Sequence, residues 1–326
     1  EQPMTQVPGT DLFYHSVELE PDSRISYLFI KDYEEEVDPR NPRRTTTTVV
    51  GKDMEMSRTG EAMEISWLAM PQWRSPAHLE DAPEASRGRL ASHEVESPIL
   101  KEAVAGAPPG APTPEPKIGL EVYLPHGYDA GETRYPVAYV HGGKAPLEHG
   151  RIPNSLDNLI GKSVEPVIVV FVDIPGRGPQ GAQAFLKEVV PFIDETYRTV
   201  DAPEGRANIG TNAAGVGAMV NTLSNRDLFG KVAIQSVGLI TLFENMIYPL
   251  LEDLGDEPPV VYMDWGTYDI RNPHENWDIP AANRRLAKAF AEKGVEVAGG
   301  EVHQGAGWSN WRNRTGDMFE ALFPVR

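Results

Sequence analysis

Two continuous apolar runs set the strongest limit on how this chain folds: Tyr135-Pro-Val-Ala-Tyr-Val140 and Val167-Ile-Val-Val-Phe-Val172. A strand with one wet face alternates apolar and polar residues, so a run without alternation is covered on both faces. Helical patterns lie between and after these runs, over Ser155 to Ile160, Gln183 to Tyr197, Gly215 to Asn225 and Pro280 to Lys293. Further strands are predicted at Gly119 to Leu124, Val260 to Trp265 and Val295 to Val302. Strands alternating with helices build a mostly parallel sheet covered by helices, an α/β fold whose hand is fixed by right-handed crossovers.

Before Lys117 the texture differs. Short β-rich runs at Leu12-Phe13-Tyr14, Val17-Glu18-Leu19 and Ile25 to Ile30, separated by Pro21-Asp22-Ser23, read as a hairpin or meander. The acidic run Asp32 to Glu36 reads as a solvated loop, and Asp38-Pro39 with Asn41-Pro42 excludes a helix. Residues 43–116 read as an irregular, Pro-rich connection, with a strand within Met63 to Trp73 and five prolines between Ala103 and Pro116. Trp67 and Trp73 suit packing against a neighbouring domain better than a sugar-stacking platform, because aromatics mostly bury. The expected organisation is therefore a β-module over 1–42, a connection over 43–116 and an α/β domain over 117–326.

Charge narrows the partners. A net charge of −18 repels nucleic acid and anionic membrane. No apolar run approaches the roughly 20 residues that span a bilayer. With no cysteine, disulfides and thiolate metal sites are excluded. His274-Glu275, Asp264 and His303 match no metal-ligand spacing, so neither a metal nor a cofactor is expected. The opening Glu1-Gln2-Pro3-Met4 suggests a processed or truncated chain.

The chemistry concentrates at one turn. An α/β-hydrolase carries its nucleophile on a sharp strand-to-helix turn of form G-x-S-x-G, flanked by small residues because the backbones nearly touch. Here Arg206-Ala-Asn-Ile209 reads as the strand, followed by Gly210-Thr211-Asn212-Ala213-Ala214-Gly215 and a helix from Val216. Asn212 stands where the nucleophile belongs. Its carboxamide has no ionisable O–H or S–H for a base to activate.

From Lys117 onward the chain resembles the esterase family of α/β-hydrolases that includes enterochelin and feruloyl esterases. The resemblance is carried by Val122 to Tyr128, Tyr135 through His141-Gly142-Gly143, Leu156 to Ile160, Asp227-Leu-Phe-Gly230, Gln235-Ser236, and Trp308 with Trp311-Arg312. Asp11 to Pro42 resembles the end of the β-sandwich that precedes the hydrolase in enterochelin-esterase-like proteins. The resemblance implies an α/β-hydrolase fold behind a partial β-sandwich segment. It also implies a triad position by position: nucleophile at Asn212, acid at Asp269 in Gly266-Thr-Tyr-Asp269, and histidine at Ala306, counted back from Trp308 and Trp311-Arg312. The Gly that follows the nucleophile by two is Ala214. Two of three catalytic groups are absent, so the resemblance implies a catalytically inactive esterase-like protein. The alternative is an active carboxylic-ester hydrolase with a non-standard nucleophile; Ser236 and Ser309 lie near family motifs but off the elbow, and His303 stands three residues before Ala306.

A lost reaction leaves the backbone donors in place. His141-Gly142-Gly143-Lys144 and the N–H of Ala213 are expected to form an anion-binding notch, with Asn212, His303 and Trp308 as further ligand-binding candidates. Gly176-Arg-Gly178 with Gly181 reads as a loop over the site, while the Trp308–Trp311 spacing is also that of a packed helix face. The partners to expect are a small-molecule or carbohydrate ligand, or a protein or second copy of the chain. The family's polysaccharide-acting members imply a secreted or periplasmic setting.

Overall fold

The computed structural model describes residues 3–32, 34–47, 63–106, 116–175, 178–239, 241–255, 257–272 and 277–325. Its centre is an eight-stranded sheet: β1 Arg89–Glu96, β2 Lys117–Leu124, β3 Val137–His141, β4 Ile168–Asp173, β5 Arg206–Thr211, β6 Lys231–Gln235, β7 Val260–Gly266 and β8 Val297–Val302. The spatial order is β8-β7-β6-β5-β3-β4-β2-β1. Pairs from β4 to β8 are parallel, whereas β1 and β2 run antiparallel.

The apolar runs behave as their composition requires. In β3 and β4 every residue but the last is buried. Odd residues of β3, Val137 and Tyr139, pack with Phe185 and Phe229, while even residues, Ala138 and Val140, pack with Leu156, Phe319 and Phe323 on the opposite face. Crossover helices at Ile152–Leu159, Asn212–Ser224 and Ile279–Glu292, with the C-terminal helix Thr315–Leu322, supply the cover.

The stretch 43–116 is not irregular throughout. Arg44–Thr47 and Met63–Ala69 pair with each other, and Met63–Ala69 also pairs with Arg24–Tyr27, in a three-stranded antiparallel sheet. The β-module therefore extends past residue 42. Pro98–Ala105 is a helix capped by the Ser97 hydroxyl, which accepts from the Leu100 N–H at 3.1 Å. Arg89–Glu96 belongs to the main sheet, in register with β2 along its whole length. Its sequence hides this because an edge strand with one solvated face has no apolar run, only partly buried residues alternating with exposed ones. Residues 107–115, Gly176-Arg177 and His274-Glu275 lie outside the described residues.

Trp67 and Trp73 stand edge to face at 5.9 Å, and Arg24 lies 4.8 Å above Trp67 and 5.8 Å above Trp73. Packing is their observed role. A sugar would have to displace a guanidinium from that surface. Arg24 is buried, and its Nη1 donates to Asn310 Oδ1 at 2.5 Å. Ser26 and Ser309 share a hydroxyl hydrogen bond of 3.1 Å, and Arg312 Nη2 donates to Thr45 Oγ1 at 2.9 Å. The N-terminal sheet is thereby bonded to the Trp308–Arg314 turn, next to the position implied for the histidine.

Candidate active site

The elbow is fully built. A Cβ on Gly210 would stand 2.5 Å from the Ala214 carbonyl, and one on Gly215 would stand 2.9 Å from Val237 Cγ2 and 3.0 Å from the Gly210 oxygen. Strand and helix therefore touch through glycine. Between them Asn212 takes φ of +47°, in the left-handed region. Asparagine tolerates that region better than most residues, so it can hold this strained turn. The Asn212 side chain faces Gly238, where a Cβ would lie 3.1 Å from its Oδ1. Ala213 stands in the first turn of the following helix, whose leading N–H groups have no partner inside the helix.

The position that the resemblance implies for the acid lies on the turn after β7. Asp269 is buried, and its Oδ2 accepts from the Gly266 N–H at 2.8 Å. Its Oδ1 is buried as well. Burial pushes the Asp269 carboxyl up to about 6, against the opposing pull of the Ser236 hydroxyl and the Arg314 guanidinium. The turn is tied to the β8 exit loop by Tyr268 N–H to Gln304 O at 3.0 Å and Thr267 N–H to Val302 O at 2.8 Å. Two residues beyond Gln304 comes Ala306, half-buried against Ala145, Trp308 and Trp311, its carbonyl held by Asn310 Nδ2 at 3.1 Å. Ala306 offers only a methyl group.

A raised carboxyl pKa carries a stability consequence with a definite sign. The folded value of about 6 exceeds the unfolded value of 3.8, so the folded state favours the protonated acid. Ionisation costs stability progressively from about pH 4 to pH 6, and the penalty is complete above that window. Asp269→Asn, which cannot ionise, is expected to raise stability at pH 8 by about 1–3 kcal/mol. The gain should vanish below pH 4, as read from denaturant midpoints at the two pH values. A loss of stability at pH 8 would contradict this account of the carboxyl.

Other candidates fall into place around this core. Trp308 is buried, at 5.4 Å from Trp311 and perpendicular to it, as its helical spacing suggests. It closes against Gly150, where a Cβ would meet its ring at 2.7 Å. In the loop after β3, Gly142 and Gly143 take φ of +126° and +65°, and the Gly143 N–H donates to Val172 O at 3.2 Å.

The His141 side chain does not join them. Its Nε2 bonds Asn208 Oδ1 at 3.1 Å, Asn208 Nδ2 donates to Thr222 Oγ1 at 3.1 Å, and Thr222 donates to the Ala218 carbonyl at 2.9 Å. This chain of hydrogen bonds ties strand to elbow helix, and burial pushes the imidazole pKa down. The alternation already carried the signal: His141 shares with Val137 and Tyr139 the side of β3 that packs on Phe185.

His303 likewise points elsewhere, its Nδ1 2.6 Å from Asp22 Oδ1 at the surface. Ser236 is buried with φ of +49° and accepts from Trp311 Nε1 at 2.9 Å. Ser309 is buried against Ser26. Asp264 is engaged by Gln235, Tyr262 and Arg314. Among the described residues no group of three or more His, Asp or Glu could hold a metal ion.

The model of the family described as "Putative esterase" matches residues 111–322, well over half of the chain. The chain belongs to this esterase family. An endo-1,4-beta-xylanase/feruloyl esterase of Xylanibacter ruminicola is 28% identical over 224 residues, 62% of this chain. The chain spans only 29% of that relative's length. Among solved structures, the ferric enterobactin esterase of Salmonella typhimurium superposes with a TM-score of 0.70 at 16% identity, over 98% of this chain and 84% of the other. The enterobactin esterase of Shigella flexneri, in the presence of enterobactin, gives 0.69 at 19% identity over 98% and 83%. A mutant of the feruloyl esterase module from Clostridium thermocellum, complexed with sinapinate, gives 0.55 at 20% identity over 77% and 95%. The likeness thus runs along nearly the whole chain, taking in both the α/β-hydrolase sheet and the N-terminal β-rich segment.

Proposed function

We propose that this member of the esterase family is a pseudo-esterase: it retains the elbow and its surroundings, has lost the reaction, and serves as a binding, scaffolding or subunit-interaction protein. The observation that carries the reading is the Asn212 elbow, held at φ of +47° by a residue without a proton to surrender. The buried Asp269 carboxyl supports it, since it meets the Ser236 hydroxyl where a triad histidine would donate. In a Ser-His-Asp site the members act as a unit, so a chain lacking both serine and histidine is left with little beyond oxyanion stabilisation and binding. By analogy with the relatives' names, feruloyl esters and enterobactin-type compounds are the natural ligands to try.

A serine-directed fluorophosphonate probe gives a direct test. The wild-type chain is expected to take up no label, because no serine stands on the elbow. Stoichiometric labelling of the native protein would overturn the reading and locate the residue responsible.

A further inference from the structure

An unusual concentration of arginine lies where the N-terminal sheet meets the Trp308–Arg314 turn. The chain carries 48 acidic residues against 30 Lys and Arg, so a buried arginine here has every opportunity to find a carboxylate. Among the described residues three arginines at this junction, one buried, one half-buried and one exposed, do not. Arg24, 3% exposed, has Asn310 as its hydrogen-bond partner and the Trp67 and Trp73 rings beneath its guanidinium. Arg312 donates to a neutral hydroxyl, Thr45 Oγ1. Arg43 is exposed, with its guanidinium 5.2 Å from the Trp67 ring centre. Among the described residues none of the three makes an ion pair.

The alternation of the sheet explains the clustering. Arg24, Arg43, Thr45 and Trp67 occupy register positions on the side that meets Ser309, Asn310 and Arg312. Arg151 adds a fourth cation on the hydrolase side, next to Gly150, which closes against Trp308. Its partner, Asp81, lies 2.5 Å away but is 84% exposed, a contact that a better anion can replace.

We propose that this junction is a binding site for a multiply charged oxyanion, carboxylate or phosphate, gripped by Arg312 and Arg43 with Arg24 behind them. Guanidinium is suited to the task because its fork matches two oxygens of such a group at once. The electrostatics agree with the geometry. Burial pushes both Arg24 and Arg312 down, Arg312 adds repulsion on Arg24, and Arg151 adds repulsion on Arg312. A bound anion relieves all of these together. The proposal stands apart from the chemistry at the elbow, although Asn310 links the two places by bonding both Arg24 and the Ala306 carbonyl.

Calorimetric titration of the full chain at low ionic strength with citrate in one arm and pyrophosphate in another tests it. Saturable binding of one or both is expected, and the arm with the tighter binding separates a carboxylate from a phosphate ligand. Non-specific attraction is not a competing explanation in a chain of net charge −18. Arg312→Gln should weaken binding about tenfold or more, the scale of a lost charge-assisted hydrogen bond. Arg89→Gln, on the far edge strand, should leave it unchanged. If Arg312→Gln melts early in the absence of ligand, Arg43→Gln, at an exposed position, carries the same prediction. No saturable binding in either arm, or equal affinity in wild type and the folded arginine variant, overturns the proposal.

Discussion

The paired substitution Asn212→Ser and Ala306→His is expected to switch on hydrolysis of short-chain and feruloyl chromogenic esters, with a rate about 1,000-fold or more above that of the wild type. The expectation rests on what is already built. Gly210 and Gly215 bring strand and helix into contact, and the turn holds position 212 at positive φ. Asp269 is buried on its turn, and beside it Tyr268 bonds Gln304, two residues ahead of position 306. Each single substitution should stay close to the wild-type rate. A serine without a base is not deprotonated, and a base without a nucleophile has nothing to activate. A fully active Asn212→Ser single variant would show that another base, not one restored at 306, serves this pocket.

The second large effect concerns the charge network behind the acid turn. Arg314 Nε lies 2.8 Å from Asp264 Oδ1, and both side chains are almost fully buried. The other carboxylate oxygen accepts from Gln235 and Tyr262, each at 2.8 Å. Arg314→Met would leave a buried carboxylate facing no cation, which costs about 3–5 kcal/mol. The melting temperature should fall by about 10 °C. Combining it with Asp264→Leu should recover most of that loss, because replacing both charges with apolar groups removes the uncompensated one. A single variant as stable as the wild type would mean that water or a rearranged neighbour solvates Asp264.

How far the chain could be read in advance depended on where the physical signal lay. β3 and β4 were legible because doubly covered strands must be apolar throughout, and the elbow because only small residues let strand and helix touch. β1 was not legible, since an edge strand draws its order from pairing with β2 and not from its own composition. Nor was the role of Arg24, whose partner Asn310 is 286 residues away. His141 and His303 illustrate a different limit. Both sit in segments that reach the site, yet side-chain direction assigns one to Asn208 and the other to Asp22. The turn that carries Asp269 and the loop that carries Ala306, by contrast, are neighbours in the fold, joined by the Tyr268 N–H to Gln304 O bond.

The central claim is that the native chain performs no ester chemistry at the elbow, and steady-state hydrolysis tests it most directly. Wild type and Asn212→Ala should be assayed side by side on short-chain and feruloyl chromogenic esters. Equal rates, indistinguishable from buffer, are predicted. A wild-type rate well above buffer that falls in Asn212→Ala would contradict the account and make the asparagine elbow a working catalytic site.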